Sequence, residues 1–348
     1  MTARPSLTID AYVEGILARD ISVVARAVTL VESRRAEDEG EAARLLAALA
    51  PHTGGSIRVG ITGVPGVGKS TFVDAIGIRL IRDGRRVAVL AVDPSSEISG
   101  GSILGDKTRM VRLASDSGAF IRPSPSGGTL GGVARRTRET MLVCEAAGFD
   151  VVLVETVGVG QSETMVAKMT DCLVALMLPG AGDELQGIKR GLLELVDIIA
   201  VNKADGATRD AAKRAARQYE LALQAVPRRD GGEPPVVLTC SARSGDGLDD
   251  VWAAVQDRYD ARTASGSLTE HRRRQCLTWM WDLVDERLQS EVRADARVRA
   301  MRDRIESEVG NGSRSAESAA REILDAFRRT QSKPTHDAPD DGANSRIG

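Results

Sequence analysis

The sequence predicts an α/β fold, a mainly parallel sheet flanked by helices on both faces, with further helical extensions before and after it. Three observations lead there. Between residues 57 and about 259, short β-branched runs alternate with amphipathic stretches, the pattern of βαβ units. Hydrophobic residues make up 42% of the chain but aromatics only 3%, so the core must be built from Val, Leu, Ile and Ala, which suits strands buried on both faces. A glycine-rich turn also joins the first β-branched run to a helix, in the place where such a fold binds its ligand.

The elements follow in order. Residues 7–50 read as helical, because Tyr12, Ile16, Val23, Val24, Ala27, Val28 and Val31 recur at helical spacing. A second helical run, 42–49, ends at Pro51, and Thr53-Gly54-Gly55 makes a linker. Strands are expected at 58–62, 87–93, 151–155, 172–178, 198–202 and 236–239. Gly/Ser-rich loops are expected at 95–102 and 123–132. Helix returns over 267–330, where Cys276, Leu277, Trp279, Met280, Trp281, Leu283, Val284 and Leu288 crowd together. These side chains need a partner surface, either the chain's own core or a second copy. Gly310-Asn311-Gly312 breaks this region, a short helix follows over 313–328, and the polar end is expected to be disordered. The expected domains are a helical arm (1–56), an α/β domain (57–262), a helical extension (263–330) and a disordered tail (331–348).

Composition excludes several classes. A net charge of −2 provides no global field for nucleic acid or an anionic membrane. The basic runs at Arg135-Arg136 and Arg272-Arg273-Arg274 read as solvated helix faces. Cys144, Cys172, Cys240 and Cys276 lack C-x-x-C spacing, and His52, His271 and His336 are isolated, so no protein-ligated metal is expected. No membrane-spanning run and no basic-then-apolar leader is found, which points to a cytoplasmic, reduced protein.

Gly63-Val64-Pro65-Gly66-Val67-Gly68-Lys69-Ser70 fits G-x-x-x-x-G-K-[ST], followed by Thr71. It lies after a strand and opens a helix, which is the context a phosphate-binding P-loop needs. Its backbone N–H groups would surround phosphate oxygens. Lys69 would reach the β- and γ-phosphates, and Ser70 would ligate Mg²⁺. Asn202-Lys203-Ala204-Asp205 follows a later strand. The Asp205 carboxylate can accept from guanine N1–H and N2–H₂, donors that adenine does not offer there, so the nucleotide should be GTP. Asn202 would tie this loop to the phosphate loop. Ser241-Ala242, after the next strand, resembles the loop whose amide contacts guanine O6.

Glu155, in Glu155-Thr156-Val157-Gly158, occupies the place of the usual magnesium-holding Asp, so Asp93 would share that role. The residue after Gly158 is Val159 rather than a water-orienting Gln, and Gln161 lies two further on. Slow intrinsic hydrolysis, raised by a partner, is expected.

These residues, with Gly105-Asp106-Lys107-Thr108-Arg109-Met110 and the run from Glu155 to Glu163 (E-T-V-G-V-G-Q-S-E), resemble the MeaB/ArgK family. Its members are G-protein chaperones of adenosylcobalamin-dependent acyl-CoA mutases, chiefly methylmalonyl-CoA mutase. The resemblance covers about residues 7–330. It implies a GTPase of the signal-recognition and MinD-like class, a homodimer built through the C-terminal helices, gating of cobalamin delivery and protection of the mutase. It extends to the adenosyltransferase as a further partner. It implies magnesium and catalytic roles for Asp93, Asp106 and Glu155, and a further switch at 180–189 with Gln186 and Lys189. Methylmalonyl-, isobutyryl- and ethylmalonyl-CoA mutases all remain open as the client. The competing readings are a transport-associated ATPase or kinase, a nickel-insertion GTPase and a targeting GTPase acting on ribosomes or membranes.

Overall fold

A computed structural model describes residues 7–92, 110–123, 130–156, 162–180, 190–224 and 233–331. The chain divides into two compact units, Met1–Thr278 and Trp279–Gly348.

The first unit begins with α1 (Ile9–Leu17), α2 (Ile21–Val31) and α3 (Ala36–Leu49). The Thr8 hydroxyl caps α1 by accepting from Ala11 N–H at 3.2 Å, and the Asp20 carboxylate caps α2 by accepting from Ser22 N–H at 2.8 Å. Their apolar stripes are fully buried at Ile16, Val24, Val28, Leu45 and Leu49. These residues share one core with the sheet residues Ala88, Leu90, Val152 and Val154, so the N-terminal helices are built onto one face of the sheet.

The sheet contains β1 (Ile57–Gly63), β2 (Val87–Val92), β3 (Ala119–Arg122), β4 (Val151–Thr156), β5 (Cys172–Met177), β6 (Ile198–Val201) and β7 (Val236–Thr239). Their order is β3-β2-β4-β1-β5-β6-β7, and every neighbouring pair is parallel. Around the strands lie α4 (Lys69–Arg82), α5 (Val111–Ala114), α6 (Leu130–Ala146), α7 (Ser162–Ala167), α8 (Arg190–Leu193), α9 (Arg209–Gln224) and α10 (Leu248–Ala264). Successive strand residues point to opposite faces. On β2, Val87 and Val89 enter the core under α4 and α10, whereas Ala88, Leu90 and Val92 enter the core under α2 and α6. Covering both faces is why the strands read as continuous apolar runs.

The structure differs from the sequence reading at three points. β3 is a seventh strand at the edge, and its Ala119-Phe120-Ile121-Arg122 offers no continuous β-branched run to mark it. The second Gly/Ser-rich stretch is shorter than its composition suggests, because α6 begins at Leu130 and takes in Gly131 and Gly132. Arg272 is not a solvated charge: it lies in a buried ion-pair network at the amino ends of the strands. Its guanidinium meets both Asp171 oxygens, Nε at 2.8 Å and Nη2 at 2.7 Å, and also donates to the Gly54 and Ser56 carbonyls. Asp171 accepts from Arg58 N–H at 2.9 Å. The Arg58 side chain in turn forks onto Glu145 at 2.7 and 2.8 Å, and Glu145 also accepts from Gly54 N–H. Sequence spacing could not reveal this network, since its members are 87 and 101 residues apart.

The long helix α11 (Ser267–Ala294) belongs to the first unit as far as Thr278. In the second unit its remainder is followed by α12 (Ala296–Gly310) and α13 (Ala316–Gln331). Asp295 caps α12 by accepting from Arg297 and Val298 N–H. Val298, Ile305 and Ala319 are buried, and Arg304 and Arg314 bridge Glu308 and Glu322. Met280, Trp281, Val284 and Leu288 are exposed on α11, Trp281 at 63%. Among the described residues, no helix is long and apolar enough to cross a membrane. Cys144, Cys172 and Cys240 are buried and Cys276 is exposed. Burial pushes the Cys240 thiol up to about 12, so it stays unreactive at neutral pH.

The Glu145 carboxylate is fully enclosed, and its removal would strand the Arg58 charge. Glu145→Ala should therefore destabilise the first unit by about 3–5 kcal/mol, seen as a lower urea midpoint at unchanged slope. A loss below about 1 kcal/mol would show that Arg58 is rehydrated without cost.

Candidate functional site

The carboxyl ends of all the strands lie along one edge of the sheet, where parallel α/β folds place their ligands. β1 ends in the phosphate loop, its neighbour β4 ends in Glu155-Thr156, β6 leads into Asn202-Lys203, and β7 leads into Ser241-Ala242. β1 and β6 are separated by β5 alone. At a strand spacing of about 4.8 Å, the loops after β1 and β6 start about 10 Å apart, within reach of a nucleotide's phosphates and base.

In the phosphate loop, Gly68 precedes α4 at φ +94°, a left-handed conformation that glycine adopts without a steric cost. α4 begins at Lys69, so its free N–H groups open toward the loop. Lys69 Nζ lies across the loop, donating to the Gly63 carbonyl at 2.7 Å and the Val64 carbonyl at 3.3 Å. Burial pushes the Lys69 ammonium below its ordinary pKa, and the Glu155 and Glu163 carboxylates pull it back up. A buried cation beside backbone carbonyls at the start of a helix suits a polyphosphate.

The loops expected to read the base are joined to this loop through Asn202, which is 2% exposed. Its Nδ2 donates to the Val67 carbonyl at 2.8 Å, and its Oδ1 accepts from Ala242 N–H at 3.0 Å. The partners fix the orientation of the amide, since a carbonyl only accepts and an N–H only donates. Lys203 sits at φ +61° and donates from Nζ to the Gly66 carbonyl at 2.7 Å. The Asp205 carboxylate accepts a short hydrogen bond from the Ser241 hydroxyl. Ala204 N–H donates to the Cys240 carbonyl at 2.9 Å, locking the two base loops together. The Ser241 loop closes through Gly247 at φ +70°, where a Cβ would lie 2.3 Å from the Thr239 carbonyl oxygen. That turn therefore demands glycine.

Ser70 Oγ donates to Glu155 Oε1 at 2.9 Å, which brings two hard oxygen groups together at the start of α4. Such donors fit Mg²⁺, which takes a few protein oxygens and completes its shell with phosphate and water. The Thr156 hydroxyl donates to Thr62 Oγ1 at 3.2 Å, tying the ends of β4 and β1 together behind this pair. Asp93, Asp106, Gly158, Val159, Gln161, Gln186 and Lys189 lie outside the described residues, as do residues 332–348 of the expected tail. Sequence reasoning included Glu163 in a motif but gave it no role. Its carboxylate acts on Lys69, and an acidic side chain at the start of a helix following the Glu155 strand was the available signal.

Asn202→Ala would leave a buried carbonyl and a buried N–H without their partners, at about 1–3 kcal/mol each. GDP should bind at least tenfold more weakly to this variant in a fluorescent-nucleotide titration, and unchanged affinity would show that the three loops hold their places without it.

Comparison with known proteins agrees with this geometry. Residues 24–297 match the family described as methylmalonyl Co-A mutase-associated GTPase MeaB. The chain is 52% identical to GTPase ArgK of Escherichia coli strain K12 over 265 residues, covering 76% of this chain and 80% of that protein. It is 42% identical to the methylmalonic aciduria type A homolog, mitochondrial, of Mus musculus, covering 92% of this chain and 80% of that one. Among solved structures, a protein described as LAO/AO transport system kinase superposes with a TM-score of 0.73 at 38% identity, covering 94% of this chain and all of that one. With its P-loop fold and a family match across most of its length, the chain belongs to the MeaB family of mutase-associated GTPases.

Proposed function

We propose that this GTPase uses its nucleotide state to gate the loading of adenosylcobalamin into a cytoplasmic acyl-CoA mutase, most naturally methylmalonyl-CoA mutase, and to protect that mutase from inactivation. The observation that supports this reading is membership of a family described by its association with methylmalonyl-CoA mutase. The adenosyltransferase that supplies the cofactor is a second candidate partner.

In this reading the phosphate-loop amides from Gly63 to Thr71 and the Lys69 ammonium hold the β- and γ-phosphates. Ser70 and Glu155, with Asp93 and Asp106, hold Mg²⁺, which neutralises charge on the phosphates. Asp205 accepts from the guanine edge, the Lys203 stem lies along the base, and the Ser241-Ala242 loop meets O6. Val159 stands where a Gln would orient water, so hydrolysis is slow until a partner orders the residues around Gln161, Gln186 and Lys189. Such a site reports its nucleotide to another protein rather than turning over quickly. Capture on the immobilised full chain, with GDP or a non-hydrolysable GTP analogue, should retain a cobalamin-dependent mutase in a nucleotide-dependent amount. Equal recovery of the mutase in both states, or none, would overturn the gating role.

The name transport system kinase on a structural relative leaves an ATP-using reading to test. The Asp205 carboxylate argues against it, and competition of ATP against GTP decides it directly.

The exposed Met280, Trp281, Val284 and Leu288 recur at the spacing of a helix–helix seam. A second copy of the chain is the proposed cover. Light scattering should give a dimer at micromolar concentration and a monomer for Trp281→Glu, and a wild-type monomer would remove the dimer from the proposal.

A further inference from the structure

The final turn of α4 carries Arg79, whose guanidinium reaches the base-side loop. Its Nη1 donates to the Gly245 carbonyl at 2.7 Å. Its Nη2 donates to Asp249 Oδ2 at 2.9 Å, and its Nε lies 2.8 Å from Asp249 Oδ1. The planar fork thus grips a carboxylate with one edge and a carbonyl with its remaining nitrogen, an arrangement only a guanidinium can make.

The Gly245 carbonyl belongs to the turn that shapes Ser241-Ala242. Gly245 N–H donates to the Ser241 carbonyl at 2.8 Å, Ser244 N–H donates to Ser241 Oγ at 3.1 Å, and Ser241 N–H donates to the Asp246 carbonyl at 2.8 Å. Ser241 Oγ donates onward to Asp205. A continuous set of hydrogen bonds therefore runs from Arg79 through Gly245 and Ser241 to the carboxylate assigned to the base. Its origin, α4, is the helix whose first turn carries Lys69 and Ser70. A helix is stiff along its axis, so its two ends move together.

We propose that Arg79 is a positioning residue for guanine recognition: it couples the phosphate helix to the base-reading loop and fixes the Ser241-Ala242 turn against the base. The inference rests on assigning Asp205, Ser241 and Ala242 to the base. The two halves of the Arg79 grip are unequal. The Asp249 side chain is 77% exposed, so that ion pair is screened by water and adds little. The bond to the Gly245 carbonyl is part-buried and makes the coupling.

The test is competition of GDP and ADP against a fluorescent guanine nucleotide, with steady-state GTP hydrolysis alongside, on the full chain. Arg79→Met should weaken GDP about tenfold, leave ADP nearly unchanged, and raise KM for GTP while kcat holds. Asp249→Asn, which keeps an acceptor for Arg79, should change GDP affinity less than threefold. Arg79→Gln, too short to span both acceptors, carries the same expectation as Arg79→Met if the latter does not fold. A purely structural role would weaken GDP and ADP equally or lower kcat, and either result overturns the proposal, as does unchanged GDP affinity. Asp205→Asn separates the two levels. If it leaves the GDP preference over ADP intact, the base assignment itself fails. If it abolishes that preference while Arg79→Met does not reduce it, the Arg79 coupling alone fails.

Discussion

Asn202 joins three loops that arrive from three different strands: its own at the end of β6, the phosphate loop through the Val67 carbonyl, and the Ser241-Ala242 loop through the Ala242 N–H. An amide is the side chain suited to this place, because it presents one donor and one acceptor on opposite corners of a rigid plane. A charged group could not hold both loops at once. Ammonium has no acceptor for the Ala242 N–H, and carboxylate would repel the Val67 carbonyl. The three loops are therefore tied to one another by the chain's own groups, with Lys203 and Ser241 adding their own bonds around the same centre.

The opposite edge of the sheet is held by charge rather than by a neutral amide. Glu145 meets the Arg58 guanidinium, the Arg58 main-chain N–H meets Asp171, and Asp171 meets the Arg272 guanidinium, a series that joins α6, β1, the start of β5 and α11. Each charge is compensated by an opposite neighbour and by backbone groups, which is what makes burial of four ionised side chains tolerable. Between these two polar edges the sheet interior is aliphatic on both faces.

Much of the site was legible from local sequence. The phosphate loop, Asn202-Lys203-Ala204-Asp205 and Ser241-Ala242 are contiguous motifs, each placed next to a strand whose β-branched run could be read directly, and six strands were found to within a residue or so at each end. What the sequence did not show was either weakly patterned or non-local. β3, Ala119-Phe120-Ile121-Arg122, has no continuous β-branched run. Arg272 looked like part of a basic run because its partner Asp171 is 101 residues away. Arg79 belongs to no sequence motif, and its partner Gly245 lies 166 residues further on.

By itself, then, the sequence determined the parallel α/β class and the order of the candidate phosphate and base loops, because these depend on periodicity and on backbone conformations that specific residues demand locally. Only the tertiary structure decided which charges are buried in pairs, how the N-terminal helices share the core of the sheet, and how Asn202 and Arg79 bind distant loops into one site. Those outcomes depend on which segments meet in space. Hydrogen bonds and desolvation reward the meeting and leave no trace in the spacing of residues along the chain.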